Sequence, residues 1–305
     1  TQMSADGKKI IQYSFKTGKE TGTIFDVNTA RDCSIKSFDD YIMSPDEKLI
    51  LIQTETKPIY RRSFTANYYI FNVKRGPLQD ARVRKALTMA LDRQELVEKV
   101  TKGGQLATRS MVPPMAGYTP AASAGFDPEQ AKRLLAEAGY PDGKGFPVLT
   151  VIYNTLESHK LIAEYIQESW KRNLGIDIKI QNYEWKTFLD MRHQHDFEIS
   201  RAGWIGDYQD PNNFLEIFQT GHGINDGEYS NPKFDELVRK AATMKGGAER
   251  FQVLHDAEAV LLTEDQGMLP IYSYVSQSLI DTTKWDGWYN NPQDAHPYFG
   301  IKKVK

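Results

Sequence analysis

The sequence predicts an α/β lobe preceded by an antiparallel, β-rich N-terminal segment. Two observations carry this. Residues 1–75 hold short β-rich runs separated by turn formers, with no helical spacing between them. From residue 76 onward, stretches that are apolar at every third or fourth position alternate with stretches that are apolar at every second one. The succession of strand, helix and strand across 148–180 points to a layered sheet with helical crossovers.

In the N-terminal segment the runs 9–15, 22–27, 48–53 and 67–73 are strand-like, and residues 5–7, 17–18 and 44–46 supply turns. Strands this close together predict an antiparallel meander of the kind that builds propeller blades. Asp80 then caps a helix with Val83, Leu87, Ala90 and Leu91 on one face. Asp92 and Glu95 restart it in a capping-box-like pattern, and Gly103 and Gly104 end it. Prolines at 113, 114 and 120 keep the next stretch extended. Asp127, Pro128 and Gln130 open another helix, whose buried stripe is Ala131, Leu134, Leu135 and Ala138 and whose stop is Gly139.

Residues 148–153 read as a strand. Ser158 starts a long amphipathic helix that buries Leu161, Ile162, Tyr165, Ile166, Trp170 and Leu174 and ends at Gly175. Ile176, Ile178 and Ile180 alternate with Asp177 and Lys179 in a half-buried strand. A strand-like run at 197–202 leads into a loop at 203–208. Asn231 and Pro232 open a helix, 248–263 is a further one, and 269–275 is the closing strand. The expected organisation is a β-rich segment at 1–75, an α/β lobe at 76–268, and a strand with an aromatic tail at 269–305 that returns toward the first segment.

The 305 residues leave ample room for a core. A net charge of -2 gives no basic footprint for nucleic acid. No apolar run approaches the roughly 20 residues of a membrane helix. The N-terminus lacks a charged n-region and an apolar h-region, so a signal peptide is expected to be absent or already removed. Cys33 is the single cysteine and allows no internal disulfide. No Gly-x-Ser-x-Gly elbow occurs. His193 and His195 alternate without further ligands at metal spacing, and Lys102, Gly103 and Gly104 read as a helix stop rather than a phosphate loop. No enzyme activity, metal or cofactor is expected.

The densest chemistry lies between Glu184 and Asn213, where Trp185, Trp204, Tyr208, Arg192, Arg201 and Asp207 cluster. Nothing there pairs a nucleophile with a base; the set suits a zwitterionic, partly apolar ligand. Asp207 reads as an ammonium partner or as the cap of the turn before Pro211. His159, near a helix start, reads as part of an anion site or as an exposed histidine. Arg201 reads as a carboxylate partner or as a structural ion pair. Trp185 and Trp204 are pocket walls or core, and Gly203 permits close approach of a ligand backbone.

Several motifs in order resemble the oligopeptide-binding proteins of bacterial ABC importers, solute-binding protein family 5. Asp80-Ala81-Arg82-Val83-Arg84-Lys85-Ala86-Leu87 followed by Leu91-Asp92-Arg93 is similar to that family's DxRVRxAL…(L/M)DR signature. Leu134 to Tyr140, Tyr153-Asn154-Thr155, Glu184 to Phe188 and Ala202-Gly203-Trp204 follow in the family's order. The resemblance covers residues from about 68 to the C-terminus and implies a periplasmic-binding-protein-type lobe that takes short peptides in an extracytoplasmic compartment. It implies permease subunits as partners and a monomeric state. It aligns Asp207 with the aspartate that fixes the peptide amine, and His159, Arg192 and Arg201 with contacts to the peptide carboxylate. Where the family has Trp-Cys-Ala-Asp, this chain has Trp204-Ile205-Gly206-Asp207, which changes the bulk beside the site.

The family's first lobe, expected before Tyr68, is not found there, so weak affinity is expected of this half of the cleft alone. Residues 1–75 instead resemble N-terminal propeller blades of the dipeptidyl peptidase IV family. The carrying residues are the run from Tyr41 to Glu47, the run from Tyr60 to Ala66, and Tyr69-Ile70-Phe71. That resemblance implies a chimera joined near 68–75, and it matches Arg61 with an arginine of the peptidase cleft. A serine exopeptidase fragment and an engineered composite without evolved activity are the alternatives it raises.

Overall fold

The computed structural model describes residues 1–4, 6–14, 17–29, 36–37, 40–43, 50–53, 65–274, 281, 283–288 and 300–304. Two units divide the chain, Thr1–Tyr60 and Arg61–Lys305. In the first, β1 (Gln2–Met3), β2 (Lys9–Tyr13) and β3 (Glu20–Asp26) form an antiparallel sheet in that order. β4 (Asp40–Met43) pairs antiparallel with β5 (Ile50–Gln53). The turn into β2 is tied by the Ser4 hydroxyl, which donates to Asp6 at 2.6 Å, and Gly7 takes the left-handed φ of 65° that the turn requires. Ile10 and Val27 are buried against Phe25 and Tyr41.

The second unit is built on one sheet of six strands: β6 (Thr65–Phe71), β7 (Leu106–Ala107), β8 (Leu149–Asn154), β9 (Ile178–Tyr183), β10 (Ile199–Ile205) and β11 (Met268–Ser273). Their order is β7-β11-β6-β10-β8-β9. β8 runs parallel to β9 and β10, and β6 runs antiparallel to β10 and β11. A separate pair, β12 (Trp285–Asp286) with β13 (Lys302–Lys303), is antiparallel. β6 is buried at each residue from Ala66 to Phe71, as a strand covered on both faces must be. The predicted closing strand is β11, and it pairs with β6 and β7. The Tyr-rich run assigned from sequence to the N-terminal segment is thus the inner strand on which the C-terminal strand is laid.

Side chains that alternate along β6 feed two cores. Tyr69 and Phe71 pack with α1 (Ala81–Met89), the stretch after α2 (Arg93–Glu95), α3 (Pro128–Glu137) and α4 (Glu157–Leu174). Ala66, Tyr68 and Ile70 pack on the other face with α5 (Trp185–His193), α6 (Asn212–Leu215), α7 (Pro232–Thr243) and α8 (Ala248–Ala259). The result is helix, sheet and helix in three layers. The predicted caps are in place: Asp80, Asp92, Asp127 and Asn231 accept the backbone N–H groups of Arg82, Glu95, Gln130 and Lys233 at 2.8–3.0 Å. α4 differs from expectation. It begins at Glu157 with Leu156 in the cap position, so Ser158 lies inside the first turn. Its buried stripe runs through His159, Ile162, Ala163, Ile166 and Trp170, which turns Leu161 outward at 42% exposure.

Two buried charges hold this frame. Arg84, from the signature run, donates to the carbonyls of Leu78 (2.6 Å), Gln79 (3.1 Å), Gln266 (3.0 Å) and Asp265. Glu258 on α8 accepts from the N–H groups of Met111, Val112 and Ala121, each at 2.9 Å, and from the Tyr118 hydroxyl at 2.7 Å. It thereby pins the extended connection to the helical layer. Burial pushes its carboxyl up to about 7, against the pull of those donors.

Candidate functional site

The pairing of β10 defines the site. Against β6 it is in register from Ile199 to Ile205, whereas against β8 the ladder holds only Ile199 and Ser200. From Arg201 to Ile205, β10 therefore has a strand neighbour on one side alone among the described residues. β8 instead sends the chain through α4 to β9 on its far side, so the carboxyl ends of β8 and β10 part. Such a switch point is where open α/β sheets form ligand crevices. The sequence placed Gly203 and Trp204 in a loop; β10 extends through them because Ala66 and Asn67 of β6 supply partners.

Three predicted residues lie on this strand, and a fourth, His159, lies on α4. Arg201 and Gly203 stand opposite Tyr69 and Asn67 and share their face of the sheet. The Arg201 guanidinium lies over Gly203: a Cβ at 203 would stand 3.1 Å from Nη2, so glycine there makes room for the arginine. Trp204 points to the opposite face, half-buried, and its Nε1 donates to Asn213 Oδ1 at 3.3 Å. His159 is buried in the first turn of α4, with Nδ1 3.3 Å from the Asn154 carbonyl. Burial first, and then the charge of Arg201, hold its pKa down at about 3, so the ring is neutral at neutral pH.

Polar groups without partners gather at these strand ends. Arg201 Nε, Tyr69 Oη, Asn67 Oδ1 and Asn154 Oδ1 are all buried and make no hydrogen bond among the described residues. Burial pushes the Tyr69 phenol up, and Arg201 opposes the shift. The Asn67 amide donates to Tyr272 Oη at 3.1 Å and Tyr274 Oη at 3.4 Å, leaving its carbonyl open. Orphaned buried groups are uncommon, and a cluster at a crevice marks a candidate ligand site. Asn67 and Tyr69 are not among the site residues expected from sequence. Strand alternation places Tyr69 opposite in sense to Tyr68, but only the pairing register brings it against Arg201.

The remaining predicted residues lie elsewhere around the strand end. Asp207 and Tyr208 are exposed on the loop after β10. Asn213 Oδ1 accepts the Asp207 N–H at 2.7 Å, the Tyr208 hydroxyl donates to Glu216 at 3.1 Å, and Asp210 takes both ends of the Arg250 guanidinium at 2.6 and 2.9 Å. Gly206 packs so closely that a Cβ would meet the Phe214 ring at 2.8 Å. Trp185 opens α5 at 52% exposure, its ring stacked 6.0 Å from that of Phe188. Arg192 stands apart. Its Nε donates to Asp226 Oδ2 at 2.9 Å in a buried ion pair, with the Phe188 ring 5.8 Å from its guanidinium carbon. Among the described residues, no three His, Cys, Asp or Glu side chains gather as metal ligands would.

A family model described as bacterial extracellular solute-binding proteins, family 5 Middle, matches residues 29–226. The chain belongs to that family. It is 39% identical over 244 residues to the periplasmic murein peptide-binding protein MppA of Escherichia coli K12, an alignment covering 75% of this chain and 43% of that protein. It is 38% identical over 216 residues to the oligopeptide-binding protein OppA of Bacillus subtilis 168, covering 68% and 39%. In structure it is similar to the periplasmic oligopeptide-binding protein OppAIV of Borrelia burgdorferi, with a TM-score of 0.68 and 38% identity over 80% of this chain and 49% of that one. The chain thus spans less than half the length of the curated relatives it matches. Its fold is the α/β, periplasmic-binding-protein-type lobe of this family.

The family match begins at residue 29 and runs unbroken through the supposed joint at 68–75. The propeller-blade reading and the chimera built on it are therefore without support. Short β-rich runs between turn formers suit any antiparallel meander, and local pattern does not distinguish one from another. Arg61, which that reading singled out, lies outside the described residues. No helix among the described residues is long and apolar enough to cross a membrane.

Proposed function

We propose that this chain binds short peptides as part of an extracytoplasmic solute-binding protein serving the permease subunits of an ABC oligopeptide importer. One observation carries the reading: the unpaired edge of β10 from Arg201 to Ile205, open at the switch point of the sheet. A peptide laid along it in extended form would gain main-chain hydrogen bonds as an added strand. Arg201, with an unsatisfied Nε and the neutral His159 nearby, is the partner for the peptide carboxylate. Asp207, past the other end of the strand, is the partner for the ammonium. Trp185, Trp204 and Tyr208 supply apolar walls, and Gly203 keeps the Arg201 guanidinium against the strand. Arg192, its charge met by Asp226, supports the layer beneath rather than the ligand. The names of the relatives, murein peptide-binding and oligopeptide-binding, support the ligand class. The protein acts as a monomer and performs no chemistry on its ligand.

Calorimetry with tri- to pentapeptides tests this against the same peptides N-acetylated or C-amidated. Each block removes one end charge and is expected to weaken binding by at least about tenfold. Equal affinity for the acetylated peptide would remove Asp207 from its role. Equal affinity for the amidated one would remove Arg201.

A further inference from the structure

Asp207 stands on an exposed loop, and a carboxylate there holds an ammonium at a fixed point only if the backbone beneath it is fixed. The helical layer supplies that support. Arg250, in the first turn of α8, donates from Nη1 to Asp210 Oδ2 at 2.6 Å and from Nη2 to Asp210 Oδ1 at 2.9 Å, a two-pronged grip. Its Nε donates to the Ala241 carbonyl at 2.9 Å, so the same guanidinium is anchored to the last turn of α7. The pair is largely shielded, with 12% of the arginine side chain and 24% of the aspartate exposed. Asp210 Oδ1 also accepts the Asn212 N–H at 2.9 Å, and the Asp210 carbonyl accepts the Asn213 N–H at 3.1 Å, so the grip continues into the start of α6.

Asn213 carries the hold on to Asp207. It is 2% exposed, and its Oδ1 accepts two donors, the Asp207 N–H at 2.7 Å and the Trp204 Nε1–H at 3.3 Å. One oxygen thus ties the backbone of Asp207 to a ring at the end of β10. The Asn213 Nδ2 donates to Glu216 Oε1 at 3.4 Å, and that carboxylate also accepts the Tyr208 hydroxyl at 3.1 Å and the Asn212 Nδ2 at 2.8 Å. Gly206 leaves the loop no slack, since a Cβ there would meet the Phe214 ring at 2.8 Å and Asn213 Oδ1 at 3.3 Å. Each nitrogen of the Arg250 guanidinium has an acceptor within the chain, as does the Asn213 amide, so these two side chains act on the loop rather than on a ligand.

We propose that Arg250 and Asn213 are positioning residues for the amine end of the peptide, holding the 206–213 loop so that Asp207 is presented to an α-ammonium in one place. This rests on the peptide reading given above and adds the part of the fold that makes Asp207 selective. Calorimetry measures the preference for a tripeptide with a free amine over its N-acetylated form, in the wild type, Asn213→Leu and Arg250→Met, with melting curves to confirm folding. Asn213→Leu keeps volume and net charge but leaves the Asp207 N–H and the Trp204 indole without their acceptor. Arg250→Met makes the loop more negative, so a fall in amine preference there cannot come from weaker long-range attraction. The wild-type preference of at least about tenfold should shrink to within about threefold in each variant, through loss of affinity for the free amine alone. The effect of C-amidation, which reports on Arg201, should stay as in the wild type. The two variants lie on different elements, so either one that folds suffices. A folded variant that keeps the full preference, or that weakens the free, acetylated and amidated peptides by one factor, overturns the positioning role and leaves Asp207 as the amine partner. Equal affinity of the wild type for the free and acetylated peptides overturns the Asp207 reading itself, and the positioning with it.

Discussion

Arg192 and Arg201 read alike in sequence, and the fold treats them oppositely. Arg192 projects from α5 into the layer beneath the sheet, where Asp226 receives it in a buried pair. Arg201 lies on β10 at the strand end that β8 has left, and its Nε has no partner among the described residues. The first is met within the chain; the second is the one proposed above to meet the peptide carboxylate. Removing one partner of a buried ion pair leaves the other charge uncompensated and is costly, whereas Arg201 has no such partner to leave behind among the described residues.

The largest expected effect separates the two arginines by stability. Arg192→Met leaves Asp226 charged and buried, so urea unfolding should show a loss of about 3–5 kcal/mol. The double change with Asp226→Leu should recover most of it, because an apolar pair of similar volume replaces a buried ion pair at little cost. A loss below about 1 kcal/mol for the single variant would mean the pair is open to water, and the contrast would dissolve.

His159 gives an intermediate effect and sharpens the crevice side. Its folded pKa of about 3 lies below the ordinary imidazole value of 6.5, so on acidification the unfolded chain takes up the proton first. The stability of the neutral ring is whole above pH 6.5 and is lost as pH falls from there toward 3. By pH 5 the loss should be about 1 kcal/mol, discounted for solvent screening. Urea midpoints measured across that range should fall for the wild type and flatten for His159→Gln; parallel curves would show that the ring is not buried beside Arg201. The smallest effect on stability belongs to Arg201→Gln, within about 1 kcal/mol, because no ion pair is broken. The same variant should lose at least about tenfold in affinity for peptides with a free carboxylate. A large stability loss without a binding change would make Arg201 structural, like its neighbour.

Much of this was legible before any coordinates. Asp80, Asp92, Asp127 and Asn231 announced their helices because a cap is a local hydrogen bond between residues two or three apart. The crossover from β8 through α4 to β9 followed from the switch between periods of two and of three to four. The family was legible as well, in motifs from Asp80 onward. Less legible were the origin of the first 75 residues, whose short strands suit many folds, and the stripe of α4, where a shift of one position buries His159 and exposes Leu161.

By itself, then, the sequence determined the elements, their caps and the residue types available to a ligand, because each depends on neighbours along the chain. Tertiary structure alone decided which arginine meets an aspartate, which is left open, and that Gly203 carries a guanidinium rather than a loop. Those outcomes depend on the register of β10 against β6 and on where β8 stops, and such registers are set by packing between segments far apart in the chain.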